Sequence, residues 1–133
     1  MTWTFDRAAY RLSHPNLGSG AWECVATGAV VAGCVPLGAG SYTLGSPQYR
    51  DVSDGSDNDG NLYLHAEGPY FIPIAIDGDT SAGYGIHGGG SAAPQPLAAV
   101  QGLYPTEGCI RVHNTDLYHL ALNVASGDTL EVV

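Results

Sequence analysis

The sequence predicts a mainly β domain with one short helix near its C-terminal end. Three observations lead there. Nineteen glycines and eight prolines separate short apolar runs such as Gly28-Ala29-Val30-Val31-Ala32 and Tyr70-Phe71-Ile72-Pro73-Ile74-Ala75-Ile76, the pattern of strands broken by turns. Helical spacing is visible only at Leu117, Leu120, Ala121 and Val124. At 133 residues the chain is long enough to bury roughly two-thirds of its unfolded surface, and residues 1–133 are expected to form a single domain.

Strands are expected at 3–5 and 10–12, joined through Asp6-Arg7-Ala8-Ala9 as a hairpin turn. The segment 14–20, His-Pro-Asn-Leu-Gly-Ser-Gly, is turn chemistry. Further strands are read at 22–26, 29–35 and 41–44. The segment 51–61, with aspartates at 51, 54, 57 and 59, reads as a loop. Strands resume at 62–66 and 70–76, and another ends at His87. Residues 88–106 show little periodicity and much Gly, Ala and Pro, so they read as a long loop, a kind of segment that commonly carries function. Asn114-Thr115-Asp116 supplies a helix N-cap, the helix ends near Gly127, and 129–133 closes as a strand. No internal repeat is visible.

The formal net charge is −9, and the four basic residues are arginines scattered at 7, 11, 50 and 111. Nucleic acid is therefore not an expected partner, because affinity for phosphate backbones comes from clustered Lys and Arg. The same balance disfavours an anionic membrane surface, and no run approaches the ~18 to 20 apolar residues that span a bilayer. The opening residues lack a charged segment followed by an apolar one, so no general secretory signal is read. Cys24 and Cys34 lie on neighbouring strand segments, where they either form a disulfide or sit as two small buried hydrophobes.

Cys109 lies in Thr106-Glu107-Gly108-Cys109-Ile110-Arg111-Val112-His113-Asn114, and Tyr84-Gly85-Ile86-His87-Gly88-Gly89-Gly90-Ser91 lies upstream. A cysteine attacks a carbonyl as thiolate, and imidazole is the base whose ordinary pKa suits that proton transfer near neutrality. A thiol on a Gly-Cys turn and a histidine at a strand end thus point to covalent acyl transfer, with Cys109 as nucleophile and His87 as base. His14, His65, His113 and His119 read as structural or surface residues.

Rival chemistries lack their partners. His87-Gly88-Gly89-Gly90 is similar to a lipase oxyanion loop, but the chain has no Gly-x-Ser-x-Gly elbow. A zinc site from His65, His87, Cys109 and His113 lacks ligand spacing, and an EF-hand loop would need aspartate at Gly55. No metal or cofactor is expected.

These paired motifs resemble those of the L,D-transpeptidase (YkuD) family. Val35-Pro36-Leu37-Gly38-Ala39-Gly40-Ser41-Tyr42-Thr43-Leu44-Gly45, the polar helix start Asn114-Thr115-Asp116-Leu117 and the ending Gly127-Asp128-Thr129-Leu130-Glu131-Val132-Val133 are similar to its other segments. The resemblance implies a compact β-sandwich or mixed-sheet domain with a short helix after the catalytic cysteine, acting on peptidoglycan stem peptides. It implies that the Gly88 carbonyl orients the His87 imidazole, and the interval between the motifs implies an enlarged active-site loop. The amides of Gly108 and Cys109 are expected to meet the oxyanion, with small Gly108 letting the chain approach the substrate closely. Arg111 either holds a stem-peptide carboxylate or orders the loop through a salt bridge. Thr106, Tyr84 and Tyr104 flank the motifs as candidate substrate contacts, and core packing explains the tyrosines equally. Glu107 departs from the His or Lys common there, and an inward-facing anion would oppose thiolate formation.

The expected reaction releases terminal D-alanine from tetrapeptide stems, with water or an amine resolving the thioester, hence L,D-carboxypeptidase or L,D-transpeptidase activity. The opening Trp3-Thr4-Phe5-Asp6 to Tyr10-Arg11-Leu12 and Gly40-Ser41-Tyr42-Thr43-Leu44-Gly45-Ser46-Pro47 resemble a group of type VI secretion antibacterial effectors of this fold. That resemblance implies action in the periplasm or cell wall, export by a route other than the general secretory one, and a cognate immunity protein as partner. The alternatives are a housekeeping 3-3 cross-linking enzyme and a catalytically weak wall-binding module.

Overall fold

A computed structural model describes residues 1–14, 22–49, 70–88, 106 and 108–133. Its strands are β1 (Thr2–Asp6), β2 (Arg11–His14), β3 (Trp22–Thr27), β4 (Gly40–Leu44), β5 (Gln48–Tyr49), β6 (Tyr70–Ala75), β7 (Gly85–His87), β8 (Ile110–Val112) and β9 (Thr129–Val132). A 3-10 turn, Thr80–Ala82, precedes β7, and helix α1 (Asn114–Asn123) follows β8.

Alternation sets the faces. In β1 Trp3 and Phe5 are buried while Thr2, Thr4 and Asp6 point outward, and β9 buries Leu130 and Val132 in the same rhythm. The β1–β2 turn forms because Asp6 Oδ1 accepts the amides of Ala8 and Ala9 at 3.0 Å each, an Asx-type cap. Strand order is β4-β9-β1-β2-β3-β8-β7-β6-β5, mostly antiparallel, with parallel pairs at β1–β9 and β7–β8. The pairs Thr43↔Ala75 and Leu44↔Ile74 then join β4 to β6, so the sheet curls back on itself. That closure satisfies backbone groups an open edge would leave unpaired.

The core inside the curl contains Trp3, Phe5, Leu12, Leu44, Ile72, Ile74, Ile86 and Ile110, and α1 adds Leu117, Leu120 and Val124. Each such side chain stabilises the fold by ~1.5 to 3 kcal/mol on burial. His14 is buried with its ring 4.9 Å from that of Trp3. Cys24 and Cys34 are free thiols, and the reading of a small buried hydrophobe fits Cys24 but not the partly exposed Cys34. Burial first, then the Asp116 carboxylate, pushes the Cys24 thiol up to about 12.

Three differences from the sequence reading are clear. The strand expected at 29–35 is a single bridge, Val30↔Thr106, followed by a turn with Gly33 at φ 90°; the run is apolar but Val31 and Val35 are exposed, so it has no face to bury. The helix begins one residue past His113, which occupies the N-cap without a side-chain cap bond, so Asn114, Thr115 and Asp116 form its first turn. The segments β5, β8 and the 3-10 turn are too short to show a periodicity. The strand expected at 62–66, the turn at 15–20, the aspartate-rich segment and most of the 88–106 loop lie outside the described residues.

Candidate active site

Strand β7 runs between β6 and β8, and its register arranges the site. Ile72, Ile86 and Ile110 pair in one row, all fully buried. By alternation the next row, Phe71, His87 and Arg111, lies on the opposite face. Cys109 sits two residues before Arg111, directly ahead of β8. Cys109 thus precedes, by two positions, the residue that pairs with His87.

His87 is held from two sides. Its Nδ1 lies 2.5 Å from the Gly88 carbonyl oxygen. A carbonyl only accepts, so Nδ1 carries the hydrogen and Nε2 of the neutral ring is the proton acceptor. The Phe71 ring stacks beside it, centroids 6.0 Å apart and 18° from parallel. That ring passes over Gly85, where a Cβ would come within 2.3 Å of it. Gly85 thereby makes room for the wall behind the imidazole.

The turn that presents Cys109 is clamped from below. Thr106 Oγ1 accepts the Gly108 amide at 3.2 Å and donates to the Cys109 carbonyl at 2.8 Å. Thr106 is itself tied to the preceding segment, its N–H donating to Ala29 O at 2.9 Å and its carbonyl accepting Val31 N–H at 2.8 Å. Gly108 has φ +143°, and a Cβ there would meet the Tyr84 ring at 2.5 Å. Tyr84 in turn donates its hydroxyl to Val35 O at 3.0 Å. The half-exposed Cys109 thiol donates to the Gly83 carbonyl at 3.3 Å. Behind the turn is a cavity of about 200 Å³ walled by Phe5, Pro36, Leu37 and Ile110; neither Cys109 nor His87 lines it.

The sequence profile of the L,D-transpeptidase catalytic domain (YkuD) matches residues 1–133. The chain belongs to this family. Solved L,D-transpeptidases share its fold. A cysteine-to-serine mutant of the Enterococcus faecium enzyme gives a TM-score of 0.64 at 18% identity, over 99% of this chain and 49% of that one. Mycobacterium tuberculosis L,D-transpeptidase 1 gives 0.60 at 16% identity, over 99% and 60%. The catalytic domain of the E. faecium L,D-transpeptidase, acylated by ertapenem, gives 0.61 at 21% identity, over 99% and 95%. The chain thus spans about half to three-fifths of the two longer structures and nearly all of the isolated domain. A comparison with curated proteins finds no match.

In this L,D-transpeptidase-family chain, Arg111 pairs with His87, Gly88 follows His87 at the far end of β7, and Gly108 and Cys109 lie before β8, beside Tyr84 and Gly83. The Gly108 N–H donates to Thr106 Oγ1, and a Cβ on Gly108 would meet the Tyr84 ring. Thr106 and Tyr84, expected as substrate contacts, spend their hydroxyls inside the turn. Tyr104 and Glu107 lie outside the described residues. Among the described residues no group of three or more His, Cys, Asp or Glu side chains is arranged to hold a metal, and no helix is long and apolar enough to cross a membrane. Sequence reasoning missed Phe71, Gly83 and Gly85. Only Gly85 left a signal, a glycine inside a strand, which marks close approach by another group.

Proposed function

We propose that this domain carries out cysteine acyl transfer on peptidoglycan stem peptides. Membership of the family supports the substrate class. The observation that carries the assignment of residues is the 2.5 Å contact between His87 Nδ1 and the Gly88 carbonyl. It sets the tautomer a general base needs without an acidic third member.

In the proposed cycle His87 Nε2 takes the Cys109 proton, and the sulfur attacks the carbonyl at the L-centre of the third stem residue. The carbonyl oxygen becomes an oxyanion met by the Cys109 N–H, since that of Gly108 is engaged; such a donor is worth ~3 to 4 kcal/mol. The carbon–nitrogen bond breaks, the imidazolium returns its proton to the leaving D-alanine amine, and a thioester remains. Water then gives the tripeptide, or an amine gives a 3-3 cross-link or D-amino-acid exchange. Arg111, registered beside His87, is proposed to hold a stem-peptide carboxylate. Tyr84 and Thr106 are proposed as supports of the nucleophile turn, and residues 1–133 as one catalytic unit.

The E. faecium catalytic domain is acylated by ertapenem, and the same carbapenem is expected to add to Cys109 here. Action in the periplasm as an exported antibacterial effector, countered by an immunity protein, is proposed from the residues 3–12 and 40–47 that resemble that group. Toxicity confined to periplasmic expression and lost in Cys109→Ala supports it.

The test is incubation with purified tetrapeptide muropeptides, followed by mass spectrometry. Tripeptide or 3-3 dimer should form with the wild type and fall by ~10³-fold or more in Cys109→Ala. Binding without turnover by the wild type would instead support a wall-binding module.

A further inference from the structure

The connection between β6 and β7 brings a backbone carbonyl to the Cys109 thiol. Ile76 and Asp79 exchange backbone hydrogen bonds of 3.0 and 2.9 Å across Asp77 and Gly78, both at positive φ, 51° and 81°. These angles describe a tight type I′ reversal. Asp79 then caps the 3-10 turn, its Oδ1 accepting the Ser81 amide at 2.8 Å and the Ser81 hydroxyl at 2.6 Å. The turn ends at Gly83 in the left-handed region, φ 88°, and that conformation aims the Gly83 carbonyl at Cys109 Sγ.

We infer that this Asp79-capped turn is a positioning device that, through the Gly83 carbonyl, holds Cys109 in its thiol form until substrate is bound. The inference rests on Cys109 being the nucleophile. A carbonyl oxygen accepts from S–H and repels S⁻, so a hydrogen bond of this kind favours the neutral sulfur. Catalysis then requires the sulfur to turn from Gly83 O to His87 Nε2, which takes the proton. Asp79 and Ser81 touch neither substrate nor sulfur and act by fixing where that carbonyl points.

The experiment is the rate of iodoacetamide alkylation of Cys109 against pH, mapped by peptide mass, in folded protein checked by circular dichroism. Wild type is compared with Asp79→Ala, which removes the cap, Asp79→Asn, which keeps an acceptor and loses the charge, and Gly83→Ala, which moves the carbonyl by disfavouring positive φ. The other titratable or charged groups around the turn are the same in every variant: His87 on β7, Arg111 on β8, Tyr84 beside the turn, and Glu107 adjacent in sequence. The alkylation midpoint should fall by about half to one pH unit in Asp79→Ala and Gly83→Ala, with Asp79→Asn as wild type. Unchanged midpoints in both, or Asp79→Asn moving as far as Asp79→Ala, overturn the inference. Because alkylation needs no stem peptide, this outcome is separate from that of the muropeptide assay.

Discussion

Among the described glycines, Gly85 is where an added methyl group would come nearest another atom. Its Cβ would lie 2.3 Å from the Phe71 ring, and the ring belongs to the wall of His87. Gly85→Ala should lower stability by ~1 to 3 kcal/mol as an overpacked site, read by thermal melting, and should reduce turnover through the displaced imidazole. Thr106→Val keeps the shape but removes the hydroxyl that joins Gly108 N to Cys109 O. It should cost ~1 to 3 kcal/mol, because the Gly108 amide is left buried without that acceptor, and should lower kcat more than it raises KM in steady-state muropeptide kinetics. The two thiols separate by environment. Cys24 is buried with its pKa pushed up to about 12, so iodoacetamide at neutral pH should label Cys109 and leave Cys24 unmodified until the chain unfolds.

At the scale of elements, how well the sequence could be read followed the length of each segment and the kind of partner it has. The β1–β2 hairpin and α1 were legible because alternation and 3.6-residue spacing each repeat several times there. Strand β8 was not: three residues, Ile110–Val112, show no period. The run at 29–35 misled because its apolarity suggests burial, while among the described residues it pairs through one bridge to Thr106. At the site, residue type and resemblance single out Cys109 and His87 as candidates. Phe71 and Gly83 were not legible, since their proximity to His87 and Cys109 is created by the β6–β7 register and a positive-φ turn, both properties of folded pairing rather than local pattern.

Across the whole molecule, the parallel pair β1–β9 ties the two ends of the chain, and Asp128 secures it. Its carboxylate accepts from Ala125 N at 2.9 Å, Trp3 Nε1 at 3.2 Å and the Met1 amino group at 3.2 Å. Burial alone would raise its pKa, but these donors outweigh burial and hold it below the ordinary value. A carboxyl depressed in the folded state contributes stability above its unfolded pKa of ~3.9 and loses it as pH falls through the folded value. Asp128→Asn should therefore lower the melting temperature at pH 7 and converge with wild type as pH drops below about 4.

The most direct measurement of Cys109 acyl transfer is acid-quenched intact-mass spectrometry during turnover of tetrapeptide muropeptide, with peptide mapping. The expected result is a tripeptide acyl group carried as a thioester on Cys109, slower to form in His87→Ala and absent from Cys109→Ala. Turnover that proceeds with Cys109 unmodified, or that survives in Cys109→Ala, would contradict it.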